Sequence, residues 1–201
     1  MYPIDSQLEI ILELEKELDI QIPLISCADE EDMMTSYALD SQNKITQLLI
    51  CQSRLSAKHL PLIGRLTSLQ KLDLTYNQIE EIEGLDNLAN LQTLGLNGNN
   101  IKEIQGLSNL TSLQELWLDD NQITKIQGLD NLTSIQKLDL FGNQIMDATP
   151  LKALLLNQKK ANKKVLDISG SLDKKTPLTT PPIEVIENGS ESFLEWVLSN
   201  G

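Results

Sequence analysis

Leu110 to Asn131 reads LTSLQELWLDDNQITKIQGLDN, and the stretches on either side repeat it at a period of 22 residues. Leu66 to Asn87 is LTSLQKLDLTYNQIEEIEGLDN, Leu88 to Asn109 is LANLQTLGLNGNNIKEIQGLSN, and Leu132 opens LTSIQKLDLFGNQIMDATPLKA. The copies align without gaps. Asn77, Asn99, Asn121 and Asn143 occupy one position, and Pro150 stands where the earlier copies carry Gly84, Gly106 and Gly128. A fixed period of this length marks one structural unit stacked along an axis. A single unit cannot bury its apolar side alone, but neighbours can share a continuous core.

Within the unit the spacing of apolar residues assigns the local structure. Leu116 and Leu118 alternate, so both point to one face of a short strand. Leu129, Leu132 and Ile135 recur every third residue, which suits a 3₁₀-like path better than an α-helix. Ile123 and Ile126 lie between. The asparagine falls where the chain leaves the strand. Buried there, it must be hydrogen-bonded or cost about 1–3 kcal/mol. Its role is therefore structural.

These copies resemble the leucine-rich repeat family, in the class whose second half reads IxGLxxL. The resemblance implies an α/β leucine-rich-repeat solenoid: a curved parallel β-sheet on the concave side, 3₁₀ and short helices on the convex side, and helical caps at both ends. It also implies that the asparagines form a ladder. Two weaker copies flank the four regular ones. ITQLLICQSRL (Ile45 to Leu55) has Ser53 in the asparagine place, and VLDISGS (Val165 to Ser171) has Ser171. Residues 1–201 therefore read as one domain, with a cap helix and hairpin over 1–43, about six repeats over 44–171, and a C-terminal cap over 172–201. In the longer last coil, LKALLLNQKKAN supports a true α-helix on the convex side.

A stack has two apolar ends that need polar covers. At the N-terminus, Ser6 and Glu9 match a capping box. Leu8, Ile11, Leu12 and Leu18 are the expected apolar face of the helix that follows. YALDSQNKITQLLI, with Tyr37 and Leu39, a polar turn, then Ile45 and Leu48, reads as a hairpin feeding the first coil. At the C-terminus, Phe193, Leu194, Trp196 and Val197 form the apolar face of a last helix. The segment LTTPPIEVIENGSESFLEWVL, together with the YxLDxxxxIxxL hairpin, is similar to the ends of the repeat array in bacterial Roco-type and related cyanobacterial signalling proteins. That resemblance implies a regulatory or sensor repeat domain of a multidomain GTPase as an alternative function. The GxxxxGK[ST] phosphate loop itself does not occur in this sequence.

Charge and chemistry narrow the function. The net charge is −13, which argues against nucleic acid as a partner, because phosphates require a basic face. Residues 1–40 hold eleven acids against one lysine, whereas residues 152–175 hold seven lysines against two acids. Lys159, Lys160, Lys163 and Lys164 read as a solvated flank. The N-terminus lacks the basic start and apolar run of a signal peptide, and no apolar run is long enough to span a membrane. With two cysteines and no cysteine-rich caps, a cytoplasmic, thiol-reduced protein is expected. The single histidine, His59, is expected at the surface of the irregular first coil. With no nucleophile or metal partner for it, the sequence implies neither an enzyme, nor a cofactor, nor a metal site.

What remains is non-catalytic binding of a protein partner through the concave face. Strand positions between the inward leucines form outward columns with one residue per coil. One column is Leu49, Asp73, Gly95, Trp117 and Asp139. The next is Cys51, Thr75, Asn97, Asp119 and Phe141, and the preceding one is Gln47, Lys71, Thr93, Glu115 and Lys137. Tyr76 stands just before its asparagine. Only seven residues are aromatic, and three of them fall on this lattice, where the core needs none. Exposed aromatics are enriched at binding hot spots. Trp117, Phe141 and Tyr76, among Asp73, Asn97, Glu115, Asp119 and Asp139, are the expected binding residues. Trp117 and Phe141 are expected to be neighbours. The partner should carry basic and apolar groups, with a lysine or arginine on the face of Trp117.

Overall fold

A computed structural model describes residues 6–24 and 35–160, together with 192, 193, 195, 196 and 199. The expected last coil around Val165 to Ser171 lies outside the described residues. So do Pro177, Pro181, Pro182, Leu194 and Val197. The chain forms the solenoid that its period implies. Helix α1 (Ser6–Leu18) precedes an antiparallel hairpin of β1 (Thr35–Leu39) and β2 (Ile45–Ile50). From β2 onward the concave strands run parallel: β3 (Lys71–Asp73), β4 (Thr93–Gly95), β6 (Glu115–Trp117) and β8 (Lys137–Asp139). Their register pairs Leu48, Leu72, Leu94, Leu116 and Leu138 in one row. This inward row is buried throughout.

Beyond the strands, each coil descends through successive i→i+3 backbone bonds. In the third regular coil Leu110 N–H donates to Leu107 O at 3.0 Å and Leu113 N–H to Leu110 O at 2.9 Å. The three-residue leucine spacing thus appears as the 3₁₀-type path expected of it, because i and i+3 eclipse there. On the ascending side the structure adds an element: β5 (Glu103–Ile104) and β7 (Lys125–Ile126) pair as a second, two-stranded parallel sheet. Lys125 reaches Glu103 across this pair at 2.7 Å.

The asparagine ladder is complete across the described coils. Asn121 Nδ2 donates to Leu118 O (3.1 Å) within its own turn and to Leu96 O (3.0 Å) on the preceding coil, and Ile101 N–H donates to Asn121 Oδ1 (3.0 Å). Asn99 and Asn143 repeat the pattern one coil either side. Each asparagine therefore satisfies three buried backbone groups that no strand can reach. In the first coil Ser53, too short for that span, donates its hydroxyl to Cys51 O at 2.8 Å, while Asn77 Oδ1 accepts from the Ser53 and Leu55 amides.

The caps differ in detail from their sequence reading. The buried stripe of α1 runs through Ile10, Ile11 and Leu14, and Leu12 is exposed. Two polar side chains set this rotation: Gln7 Oε1 accepts from Ile45 N–H at 2.8 Å and Glu15 Oε1 from Ile22 N–H at 2.7 Å. Gln7, Ile10, Ile11, Leu14 and Leu18 lie at helical spacing on one face. Tyr37 pairs with Leu48 and Leu39 with Ile45, so the hairpin carries those four residues on one side. His59, expected at the surface, is instead buried. It closes a 3₁₀ turn, Ala57–His59, and leads into the short helix α2 (Leu60–Ile63). Its Nδ1 accepts from Ser56 N–H at 3.0 Å, and its Nε2 lies 3.5 Å from a Glu17 carboxylate oxygen of α1. The extra length of the first coil folds the histidine beneath the cap helix. At the far end, α3 (Leu151–Lys160) forms as expected, Phe193 is fully buried, and Trp196 packs half-buried against the core.

Candidate functional site

The parallel register places the outward columns as the leucine spacing requires. Leu49, Asp73, Gly95, Trp117 and Asp139 are successive Cα partners, as are Gln47, Lys71, Thr93, Glu115 and Lys137. The ladder continues beyond the strands. Tyr76 N–H bonds Asn97 O, Gly98 N–H bonds Asp119 O, and Asp120 N–H bonds Phe141 O, at 2.9–3.0 Å. Thr75, Asn97, Asp119 and Phe141 therefore also form a column.

The aromatic residues are not equivalent. Phe141 and Tyr76 are 49% and 55% exposed, whereas Trp117 is half-buried. The Trp117 ring is also already occupied: Lys137 Nζ lies 5.6 Å from its centroid and 2.7 Å from Glu115 Oε1. The cation expected from a partner is supplied by the chain itself, through a cross-strand pair one coil apart. The signal was present in the column that places Glu115 beside Lys137. Trp117 and Phe141 stand on adjacent coils, as a diagonal rather than a directly opposite pair. The direct partners of Trp117 are Gly95 and Asp139, and Phe141 lies two residues further on, opposite Asp119. The two rings stand diagonally.

The acidic residues divide by what they bond. Asp73 Oδ1 accepts from the Thr75 amide at 3.0 Å and from the Thr75 hydroxyl, which also lies 2.8 Å from Asn97 Oδ1. Asp139 Oδ1 accepts from Phe141 N–H at 2.9 Å. Both are turns closed on the backbone two residues on, a habit of aspartate where a chain leaves a strand. Asp73, Asn97 and Asp139 thus serve local structure as well as the surface. Asp119 is different. Burial, then the neighbouring Asp139, push its carboxyl above the usual aspartate range, against the lowering effect of a hydrogen bond with its own backbone. Burial, reinforced by Asp73, also pushes the Cys51 thiol up to about 12.

The raised Asp119 value has a definite sign. The folded chain favours the protonated carboxyl, so its stabilising contribution is full below the unfolded value near ~3.9 and is lost as pH rises through the higher folded value. Asp119→Asn should therefore raise the denaturation midpoint at neutral pH, and the gain should vanish below about pH 4. Paired urea titrations of the two proteins at several pH values measure this difference.

Tyr76 occupies a position with its own backbone demand. Gln52, Tyr76, Gly98, Asp120 and Gly142, each just before the asparagine place, all have positive φ, between 52° and 68°. Two of the five are glycine, which takes that conformation without strain, while a bulky side chain there costs about 1–2 kcal/mol. A Cβ on Gly98 would run into the Tyr76 ring, and one on Gly142 into the Asp120 carboxylate. The Tyr76 and Asp120 side chains thus lie over the glycine of the next coil.

Among the described residues, no group of three or more His, Cys, Asp or Glu side chains could hold a metal. No helix among them is long and apolar enough to cross a membrane.

Residues 67–109, 89–131 and 111–153 each match the family of leucine rich repeats, two copies per match. Successive matches are offset by one 22-residue unit, and together they identify residues 67–153 as leucine-rich repeats. No curated protein sequence matches it. Among solved structures, the ectodomain of the receptor kinase SOBIR1 from Arabidopsis thaliana is similar, with 22% identity and a TM-score of 0.57 over 84% of this chain and 95% of that one. An internalin, InlF, from Listeria monocytogenes is 24% identical, with a TM-score of 0.50 over 71% of this chain and 47% of that one. A leucine-rich-repeat protein of Leptospira interrogans is 28% identical, with a TM-score of 0.47 over 50% of this chain. This chain spans only 27% of the Leptospira protein's length. At TM-scores of 0.57 and 0.50, the SOBIR1 and InlF likenesses are ones of fold. Leucine-rich repeats are, as a class, scaffolds for protein–protein interaction.

Proposed function

We propose that this chain is a non-catalytic protein-interaction module that binds a protein partner through its concave face. One observation carries the reading: Phe141 and Tyr76 are about half exposed, at 49% and 55%, on an outward lattice, although the core is built almost wholly of leucine and isoleucine. Tyr76 is also held at a backbone angle that costs a non-glycine residue free energy. Retaining an exposed ring in a strained position fits a contact residue better than a packing residue. Trp117 contributes the floor of the same face and Glu115 its rim. Cys51, free among the described residues, is compatible with a thiol-reducing cytoplasmic setting and a scaffolding or signalling role.

The test uses Phe141→Ala with Tyr76→Gly. The second change also removes the strain of the positive φ, so the double variant should melt within a few degrees of the parent. Captured partner should fall at least tenfold, compared by quantitative affinity purification from the native host. Undiminished capture by a folded double variant would rule out the concave site.

A regulatory repeat domain of a larger Roco-type GTPase is the second reading. It is favoured by the cap helix and hairpin, which precede the array as that resemblance implies. A phosphate-loop motif in the reading frame beyond Gly201 would support it.

A further inference from the structure

We propose that the concave face receives an extended basic segment of its partner, with one lysine or arginine seated over Asp119 between the Phe141 and Tyr76 rings, and that Lys137 keeps that cation off Trp117. This rests on the concave-face reading above and specifies its occupant.

The position follows from which groups are already engaged. Of the acids on the outward columns, Glu115 is paired with Lys137 at 2.7 Å, and Asp73 and Asp139 are bonded to the backbone of their own turns. Asp119 has no cation of this chain beside it in the register: its column neighbours are Asn97 and Phe141. A carboxylate alone would define nothing, but two exposed rings bracket this one. Phe141 lies on the next coil. On the other side, the Tyr76 ring leans over Gly98, on the coil that precedes Asp119. With coils ~4.8 Å apart, the rings are separated by roughly 10 Å. That width admits one extended chain with its alternate side chains directed into the face. A guanidinium or ammonium there would meet a carboxylate below and ring faces on both sides, and such cation–π contacts strengthen as they are desolvated. The partial burial of Asp119, which raises its carboxyl, shows that the ground is already partly dehydrated. The net charge of −13 favours the approach of a basic segment.

Lys137 sets the limit of the subsite. Its ammonium is held over Trp117 by Glu115, so a second cation placed there would meet like charge. The proposed cation therefore lies not on Trp117 but over Asp119, two residues further along the same coil.

Two labelled nonapeptides test the proposal by fluorescence anisotropy, one alternating Arg with Val and the other Glu with Val. The Arg peptide should bind the parent at least tenfold more tightly than the Glu peptide. Asp119→Asn should weaken it at least tenfold with the melting temperature at or above that of the parent, and Lys137→Met should leave it equal or tighter. Equal binding of the two peptides, or Arg-peptide binding indifferent to Asp119→Asn, overturns the basic-segment assignment. Weaker binding by Lys137→Met overturns the role given to Lys137. If neither peptide binds while Phe141→Ala with Tyr76→Gly still abolishes partner capture, this proposal fails and the concave-face reading survives. If capture is unaffected, the reading itself fails.

Discussion

Asn121→Ala should destabilise the protein by about 3–5 kcal/mol, measured as the shift in the urea midpoint at constant slope. The side chain is 6% exposed. It donates to Leu118 O and Leu96 O, and its oxygen accepts from Ile101 N–H. Alanine leaves all three backbone groups buried without a partner, each worth about 1–3 kcal/mol. The bonds join two successive coils, so the loss falls on the interface between repeats. In a solenoid that interface carries cooperativity, since each unit contacts only its neighbours. A fall in the slope alongside the midpoint would show the two halves of the array unfolding separately. Asn109→Ala serves as the control. That asparagine is exposed on the descending side, and its loss should stay within about 0.5 kcal/mol. A cost under 1 kcal/mol for Asn121→Ala would refute the ladder as a stabilising element.

Gly106→Ala and Gly128→Ala should differ although they occupy the same place in successive repeats. Both glycines have φ near +70°, at 71° and 72°, so an alanine at either carries left-handed strain of about 1–2 kcal/mol. A Cβ on Gly106 would also run into the backbone carbonyl oxygen of Ile82, whereas one on Gly128 would find its nearest neighbour at 3.9 Å. A backbone atom in a stacked coil cannot rotate aside, so the collision must push two coils apart. Forced overpacking adds about 1–3 kcal/mol. Gly106→Ala should therefore cost roughly 2–5 kcal/mol and Gly128→Ala roughly 1–2 kcal/mol. Thermal or urea denaturation of the two single variants separates steric from torsional cost. Equal losses would mean that the coils yield freely at this corner.

The concave site was legible to a different depth at each residue. The period placed Phe141, Tyr76 and Asp119 on the outward lattice before any coordinates, because counting from an asparagine states which residues the core cannot use. It could not weigh them. Whether a carboxylate is spent on the amide two residues on, as in Asp73 and Asp139, depends on the local turn. Whether Trp117 faces solvent depends on Lys137, one coil away. His59 shows the same limit at the cap. Its burial depends on where α1 docks, and Gln7 ties that helix to the backbone of Ile45 in the first coil, 38 residues on.

By itself the sequence determined the stack: the number of regular coils, the inward leucines, the asparagine ladder and the columns facing out. Those features repeat at fixed spacing, and each coil contacts only its neighbours, so local periodicity and global packing carry the same information. Only the tertiary structure decided the rotation of the cap helix, the second sheet of β5 and β7, the cation lying on Trp117, and the carboxylate left facing outward at Asp119. Each of these depends on side chains that meet across coils or across the cap, and spacing along the chain does not encode which partner a flexible charged side chain will choose.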